Sequence, residues 1–555
     1  MGKRIIVCCD GTWQNSVDNY VKASPQNPTP RLAASSNATR ISRSFARTCK
    51  DGTFQVIYYQ VGVGSGSSSG SGITNILSRI LGGAFGVGIA ENIREAYSYI
   101  CANHVDGDEI VLLGFSRGAF TARSIAGMIT NLGLLTRTGM DYFFPIFKDS
   151  QNFMNYNYED PFPKLPFPNK PKGDGAVEAY RTRLVELGYT RVHEKGGDGD
   201  PIKIKAVGVW DTVGSLGIPT VPFLEKLSIF RSTVEYQWYN TNLSDKIEHA
   251  FQALALDEIR GPFSPAIWER HAGSEVTIDL RQVWFPGGHS NIGGGEEDQG
   301  VSNMTLAWMM DQLASIGVEF VPDALVRVFK KNVKYYQQSL YVDNWAISPI
   351  VEANKPVRPW ALHKTVRASG GFYKLLLTTP RTPGRYKKIN PDTGKTTSTF
   401  LEETNERIHS SVRVRLVCEG RSPGDEGEWK CPPLLRHWRP RKVLANFYDP
   451  TAAEGEASSG DSTRWVWEYN GREEEAPAVR TMVEENLGPY EKYLLKISGG
   501  KPSVVEYAEQ FDLKKCDYYK SSLVPWEKLP LKNLPWEKLP WEKLSGRREK
   551  LPWKK

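Results

Sequence analysis

The chain has 555 residues, 40% hydrophobic and 24% charged, which is ordinary for a globular protein and long enough for two domains or one enlarged α/β core. Its net charge of +7 permits attraction to anionic lipid or phosphate and falls short of the strongly basic balance of a nucleic-acid binder. Seven cysteines at irregular spacing, with no Cys-x-x-Cys pair, argue against a disulfide framework or a zinc site and suit a reducing compartment.

Met1 to Ile5 lead straight into an apolar run with no secretory h-region. Gly2 has no Ser or Thr at position 6, so the myristoylation pattern fails. No stretch of about 18 uncharged apolar residues occurs, so no membrane span is expected. These features predict a cytoplasmic protein, with peripheral membrane contact as the alternative.

Lys3 to Cys9 read as a short buried strand ending in Asp10-Gly11-Thr12-Trp13. A Gly turn at the carboxyl end of a parallel strand is where α/β sheets bind ligands. Gly11 and Thr12 are therefore assigned to an oxyanion loop, against the plainer alternative of a simple turn. Asp10 either orders that loop or binds a cation. A helix is expected over 38–47, capped by Asn37, and a second strand over Phe54 to Tyr59.

The Gly/Ser run from Gly62 to Gly72 imitates a phosphate loop but lacks Gly-Lys-Ser/Thr, so nucleotide binding is rejected. Ile73, Ile76, Leu77, Ile80, Leu81 and Phe85 then fall at helical spacing, as a core helix or as a lid for acyl chains. A further helix is expected over 90–103.

Ile110 to Leu113 read as a buried strand, followed at once by Gly114-x-Ser116-x-Gly118 and a helix over 119–130. Strand, Gly-x-Ser-x-Gly, helix is the context of a nucleophile elbow. The sharp turn lifts the Ser116 hydroxyl above the sheet and aims the Arg117 N–H and the helix N-terminus at an oxyanion. The aromatic and Pro-rich stretch 142–172 is either a loop over the site's mouth or a surface excursion.

Ile202 to Trp210 form the next predicted strand, with Asp211 at its carboxyl end. Residues 244–256 read as a helix bearing His249, which is taken as a structural histidine. The strand ending at Phe285 leads into Pro286-Gly287-Gly288-His289, and a helix begins at Val301. Beyond about Tyr341 the pattern degrades. A strand is expected over Val412 to Cys418 and a flexible acidic linker over Ala452 to Thr463. Pro525-Trp-Glu-Lys528 recurs at Pro535 and Pro540, in a tail with nine Lys/Arg against four Glu. That tail is read as disordered repeat, with docking at a lipid interface or on a partner as the alternative.

Ser116, Asp211 and His289 thus stand at three strand ends, in the chain order Ser, acid, His. His289 removes the serine proton and Asp211 fixes the imidazole, which is chemistry for acyl transfer to water. Asp298 is the reserve acid, although it follows His289 by only nine residues. No metal-ligand cluster competes, and no cofactor is expected.

Together these motifs resemble the α/β-hydrolase group that includes bacterial type VI secretion phospholipase effectors (domain of unknown function 2235). The likeness rests on Val7-Cys-Cys-Asp-Gly-Thr-Trp13, Gly62-Val-Gly64, Gly114-Phe-Ser-Arg-Gly-Ala-Phe-Thr-Ala-Arg123, Val209-Trp-Asp-Thr-Val-Gly214, Ala255-Leu-Asp-Glu-Ile-Arg260 and Val283-Trp-Phe-Pro-Gly-Gly-His-Ser290. It covers about residues 1 to 345. It implies a mainly parallel sheet flanked by helices, Ser116 as nucleophile, and phospholipid acyl esters as the substrate class. Many relatives carry Ser-Asp where this chain has Ser290-Asn291. The expected organisation is a catalytic domain over 1–345, a mixed extension over 346–520 and the repeat tail over 521–555. A soluble-ester or thioester hydrolase of the same fold, or a non-catalytic scaffold, are the rival functions.

Overall fold

Runs that are apolar on both faces build the centre of the molecule. The computed structural model describes residues 2–11, 20–21, 30–63, 84–195, 199–213, 243–271, 278–339, 361, 365, 379–389, 396–417, 428–444 and 463–498. Strands β1 (Arg4–Cys9), β2 (Gln55–Gln60), β3 (Glu109–Phe115), β4 (Ile204–Trp210), β5 (Ile247–Ala255) and β6 (Asp279–Phe285) lie side by side in the order β2-β1-β3-β4-β5-β6, all parallel. Near-continuous apolar sequence is what strands covered on both faces require.

Side chains alternate between the two faces. Ile5, Val7, Ile110, Leu112, Val207 and Val209 pack with Ile93 and Tyr97 of helix α2 (Ala84–Asn103) and with Ile125 and Ile129 of α3 (Arg117–Leu132). Ile6, Cys8, Val111, Leu113, Phe251 and Phe285 face the other way, against Met304, Trp308 and Leu313 of α4 (Gly300–Ser315) and Val328 and Phe329 of α5 (Ala324–Ser339). Each fully buried aliphatic or aromatic side chain contributes about 1.5–3 kcal/mol. The layering is therefore set by these two cores.

The sheet does not stop at β6. Strands β7 (Glu406–His409), β8 (Trp438–Leu444), β9 (Thr463–Tyr469) and β10 (Thr481–Glu485) extend it to ten strands in the order β8-β9-β10-β7-β6. In this sheet β9 runs against its neighbours, and β7 and β10 continue the parallel direction. A third core of Trp284, Ile408, Trp429, Trp438 and Trp467 seals these added strands. The fold is α/β, a large and mainly parallel sheet between helical layers, of α/β-hydrolase-like type.

Two predicted elements are corrected. Residues 244–256 do not form a helix; Ile247–Ala255 is β5, a central strand with Ala250, Phe251, Ala253, Leu254 and Ala255 all buried. Its Ala, Leu, Glu and Gln favour helix by propensity, and burial on both faces overrides that preference. Residues 412–417 are not a strand; Ser410–Val417 is a helix with every residue buried, and Cys418 lies outside the described residues. Arg413 mimics the polar beats of an alternating strand, but its guanidinium pairs with Glu484 inside the protein. The cap of the helix Asn37–Ser42 (α1) is Ser36, which accepts the Thr39 N–H. Asn37 instead spends its amide on Ile292 O, Ser302 O and Thr305 Oγ1. The stretch after Tyr142 opens with a helix, Phe143–Gln151, before becoming irregular. The apolar run 73–83, the Gly/Ser residues 64–72, linker residues 452–462 and the tail 521–555 lie outside the described residues.

Candidate active site

Strand order reverses between β1 and β3, because the connection from β1 goes to β2 on one side and the chain returns to β3 on the other. Such a switch point leaves a crevice beyond the carboxyl ends of the strands. Asp10 and Gly11 end β1 at this crevice, Ser116 ends β3, Asp211 ends β4, and His289 follows β6.

Ser116 occupies the sharp turn from β3 to α3, with φ 57° and ψ −118°. Two glycines allow the close approach that this turn needs. A Cβ on Gly114 would stand 2.3 Å from Gly118 O, and one on Gly118 would stand 2.2 Å from Cys9 O and 2.5 Å from Asp10 O. The helix can therefore begin directly against β1. Its first N–H groups have no intrahelical acceptor, Arg117's among them, and the positive end of the helix dipole lies at the serine.

His289 bridges the other two residues. Its Nε2 is 2.8 Å from Ser116 Oγ and its Nδ1 is 2.6 Å from Asp211 Oδ2. All three are buried, with exposures of 6%, 0% and 5% for Ser116, Asp211 and His289. The imidazole lies between Phe115 and Phe263, at ring distances of 4.8 and 4.9 Å. Two carboxylates tether its loop: Asp257 accepts the Gly287 N–H at 2.6 Å and Glu258 accepts the His289 N–H at 3.3 Å. Burial pushes the Glu258 carboxyl up, but hydrogen bonds and charge from Arg260 outweigh it and bring the group down to about 2. It is therefore a firm anion at neutral pH. Burial likewise raises Asp257, against hydrogen bonds from Trp429 and Gly287.

Asp211 has φ 40°, a second non-glycine residue in left-handed backbone. Its N–H donates to Ala253 O at 2.7 Å, and its Oδ1 accepts the Ala255 N–H at 3.1 Å. Arg381 completes the set, with Nη2 3.2 Å from Oδ1 and 3.0 Å from Oδ2.

The remaining predicted residues fall as follows. Gly11 lies against the nucleophile turn, where a Cβ would stand 2.9 Å from Phe115 and 3.4 Å from Ser116 Cβ. Its N–H donates to Asp10 Oδ1 at 2.7 Å. Asp10 also accepts from Ser36 Oγ, Thr39 Oγ1 and Tyr59 OH, so its carboxylate ties the end of β1 to α1 and β2. Thr12 lies outside the described residues. Asp298 accepts the Gly300 N–H at the start of α4, and the carboxylate on His289 is that of Asp211. His249 meets Asp279 at 3.2 Å, within the sheet. Sequence reasoning missed Arg381 and the tethers Asp257 and Glu258. The last two stand in the quoted Ala255–Arg260 motif, where the mistaken helix hid their position at a strand end. Arg381 carries no local signal, being 170 residues from Asp211 in a turn-rich basic stretch.

The parallel sheet, the strained serine turn and the buried Ser-His-Asp line define an α/β-hydrolase-like protein. Residues 3–312 match the family "T6SS, Phospholipase effector Tle1-like, catalytic domain", and the chain belongs to that family. It is 28% identical over 271 residues to "Uncharacterized protein YEL023C" of Saccharomyces cerevisiae, covering 47% of this chain and 32% of that protein. The match thus spans about a third of the yeast protein's length. The structure of the Tle1 effector bound to the VgrG spike of the type 6 secretion system is similar at 14% identity and TM-score 0.31, over 71% of this chain and 88% of that one. An uncharacterized protein from Pseudomonas aeruginosa is similar at 15% identity and TM-score 0.29, over 63% of this chain and 52% of that one. Among the described residues, no helix is long and apolar enough to cross a membrane.

Proposed function

We propose that the chain is a serine hydrolase of lipid acyl esters, phospholipids foremost, working through Ser116, His289 and Asp211. The observation that carries this reading is His289, within hydrogen-bond reach of Ser116 Oγ on one ring nitrogen and Asp211 on the other. The lipid part of the reading draws on the family, whose name describes phospholipase effectors.

Ser116 Oγ attacks the ester carbonyl as His289 Nε2 takes its proton. Asp211 holds the tautomer that leaves Nε2 free to accept, and stabilises the imidazolium that forms. The Arg117 N–H and the loop Gly11–Thr12 are the proposed oxyanion donors, with the Gly11 amide shared with Asp10. The imidazolium then protonates the leaving alcohol. A water, deprotonated by His289, hydrolyses the acyl-enzyme and restores Ser116.

Labelling with a fluorophosphonate, wild type beside Ser116→Ala, tests the nucleophile. Hydrolysis of phospholipid vesicles beside a short-chain p-nitrophenyl ester tests the substrate class. Labelling of wild type that disappears in the variant is expected, with faster turnover on vesicles. Equal labelling of both proteins would sink the mechanism, and turnover of the soluble ester alone would sink the lipid assignment.

A further inference from the structure

We infer that Arg381 is a positioning residue for this reaction: it fixes the carboxylate of Asp211 and tempers how strongly that carboxylate favours positive charge on His289. The inference rests on the triad reading, and it brings into the centre a residue outside the family match of 3–312.

Geometry comes first. One nitrogen of Arg381 straddles both oxygens of Asp211, at 3.2 and 3.0 Å, and both side chains are almost wholly buried. Oδ2 is also the oxygen that faces His289 Nδ1. Rotation of the carboxylate away from the imidazole would therefore break contacts to Arg381 and to the Ala255 N–H together.

The arginine is itself held by rigid elements. Thr379 N–H donates to Ile259 O at 2.8 Å, one residue beyond Glu258, which tethers the His289 backbone. Gly384 N–H donates to Glu406 at the start of β7, and Pro383 O accepts the Trp438 indole N–H at the start of β8. The strands added beyond β6 thus form the mount for Arg381. Arg381 itself lies in a loop, and these bonds tie that loop to the strands.

Charge gives the second argument. Burying an arginine is costly, and a buried ion pair is often replaceable by apolar packing at no loss of stability. Here the cost is greater still, because among the described residues Arg381 Nη1 is buried without a hydrogen-bond partner. Asp211 already receives the Ala255 N–H and faces His289, so packing alone does not call for a cation. During catalysis a positive charge forms on His289, and Arg381 offsets part of the carboxylate's pull on it. Without that offset, in Arg381→Gln, the resting imidazole would hold its proton to higher pH and be blocked as a base there.

Hydrolysis of p-nitrophenyl butyrate by the full chain, followed from pH 5 to 9, tests this in wild type, Ser116→Ala, Arg381→Gln and Arg381→Lys, with circular dichroism and thermal melting of each. Folded Arg381→Gln is expected to lose about 10–100-fold in kcat. The acid limb of its kcat/KM profile should move to higher pH by about half a unit or more, since a nearby positive charge has been removed. Arg381→Lys should keep the wild-type limb and recover part of kcat. A wild-type rate and profile in folded Arg381→Gln would overturn the inference. So would a loss without a limb shift that lysine does not rescue, or failure of both variants to fold, since either marks a structural pin. Ser116→Ala at the wild-type rate would overturn the triad reading and this inference with it. An inactive Ser116→Ala beside an unaltered Arg381→Gln would overturn this inference alone.

Discussion

Ser116 and Asp211 leave adjacent parallel strands through left-handed backbone, with φ of 57° and 40°. The two turns are coupled, since the Ser116 N–H donates to the carbonyl of Trp210, the residue before Asp211. Left-handed backbone is costly for residues with a Cβ and persists where the surroundings over-determine it. Both residues that His289 joins are among the few described non-glycine residues with positive φ.

Asp211→Asn separates the charge at this position from its shape. Asparagine tolerates left-handed backbone about as well as aspartate does, so the turn should survive. The amide no longer stabilises an imidazolium, and it can hold the imidazole in the wrong tautomer. We expect kcat on a soluble ester to fall by about 10³–10⁴-fold. The melting temperature should also fall, because Arg381 loses its carboxylate. Steady-state kinetics and thermal melting check both.

Gly118→Ala tests the close approach beneath the nucleophile. Its Cβ would meet the backbone oxygens of Cys9 and Asp10 at 2.2 and 2.5 Å, and neither can swing aside like a side chain. The start of α3 must then shift away from β1, taking the Arg117 amide with it. Overpacking of this kind costs about 1–3 kcal/mol. Urea unfolding should show that loss, and turnover should fall further than stability alone accounts for.

Asp311 is expected to make stability pH-dependent. It accepts the N–H groups of Tyr490 and Glu491 at the start of helix α6 (Pro489–Ile497). Burial, and then the Glu491 charge, push it up to about 8. A raised carboxyl stabilises the fold while it holds its proton, and that stability is lost as pH rises through about 8. Between pH 6.5 and 9 wild type should therefore lose melting temperature. Asp311→Asn imitates the protonated acid and should lose less over the same interval. His409, which burial lowers to about 4, is neutral throughout that interval, and Glu491, which burial raises well above the usual carboxyl range, is present in both proteins, so the difference between the two slopes reports Asp311. Equal slopes in the two proteins would refute the assignment.

Much of the fold and the central line of the site were legible because they rest on local pattern. The strands ending at Cys9, Phe115, Trp210 and Phe285 are short apolar runs with Gly or acidic turns at their ends, and each was placed to within a few residues. Residues 247–255 were misread because a strand buried on both faces has no period of 2 to announce it. The strand expected from Val412 was misread for the opposite reason. Val412, Val414 and Leu416 alternate with Arg413 and Arg415, yet all of them are buried in a helix. The tie between Arg381 and Asp211 depends on how β7 and β8 dock, and no window of sequence contains it.

Glu258→Gln probes the tether of the histidine loop. Glu258 is 4% exposed and accepts both the Arg260 N–H and guanidinium and the His289 backbone N–H. Because Arg260 brings its carboxyl down to about 2, it supports stability at every pH above its unfolded range and loses that support only in strong acid. Glutamine keeps the volume and one acceptor but removes the charge that orients Arg260. Losing charge-assisted hydrogen bonds costs about 1.5–3 kcal/mol, so the melting temperature at pH 7 should drop. The His289 backbone would then be free to tilt the imidazole from its line with Ser116. We expect kcat to fall about tenfold or more, with KM for a short soluble ester little changed, because the tether acts on the base. A rise in KM at constant kcat would show instead that Glu258 shapes substrate binding.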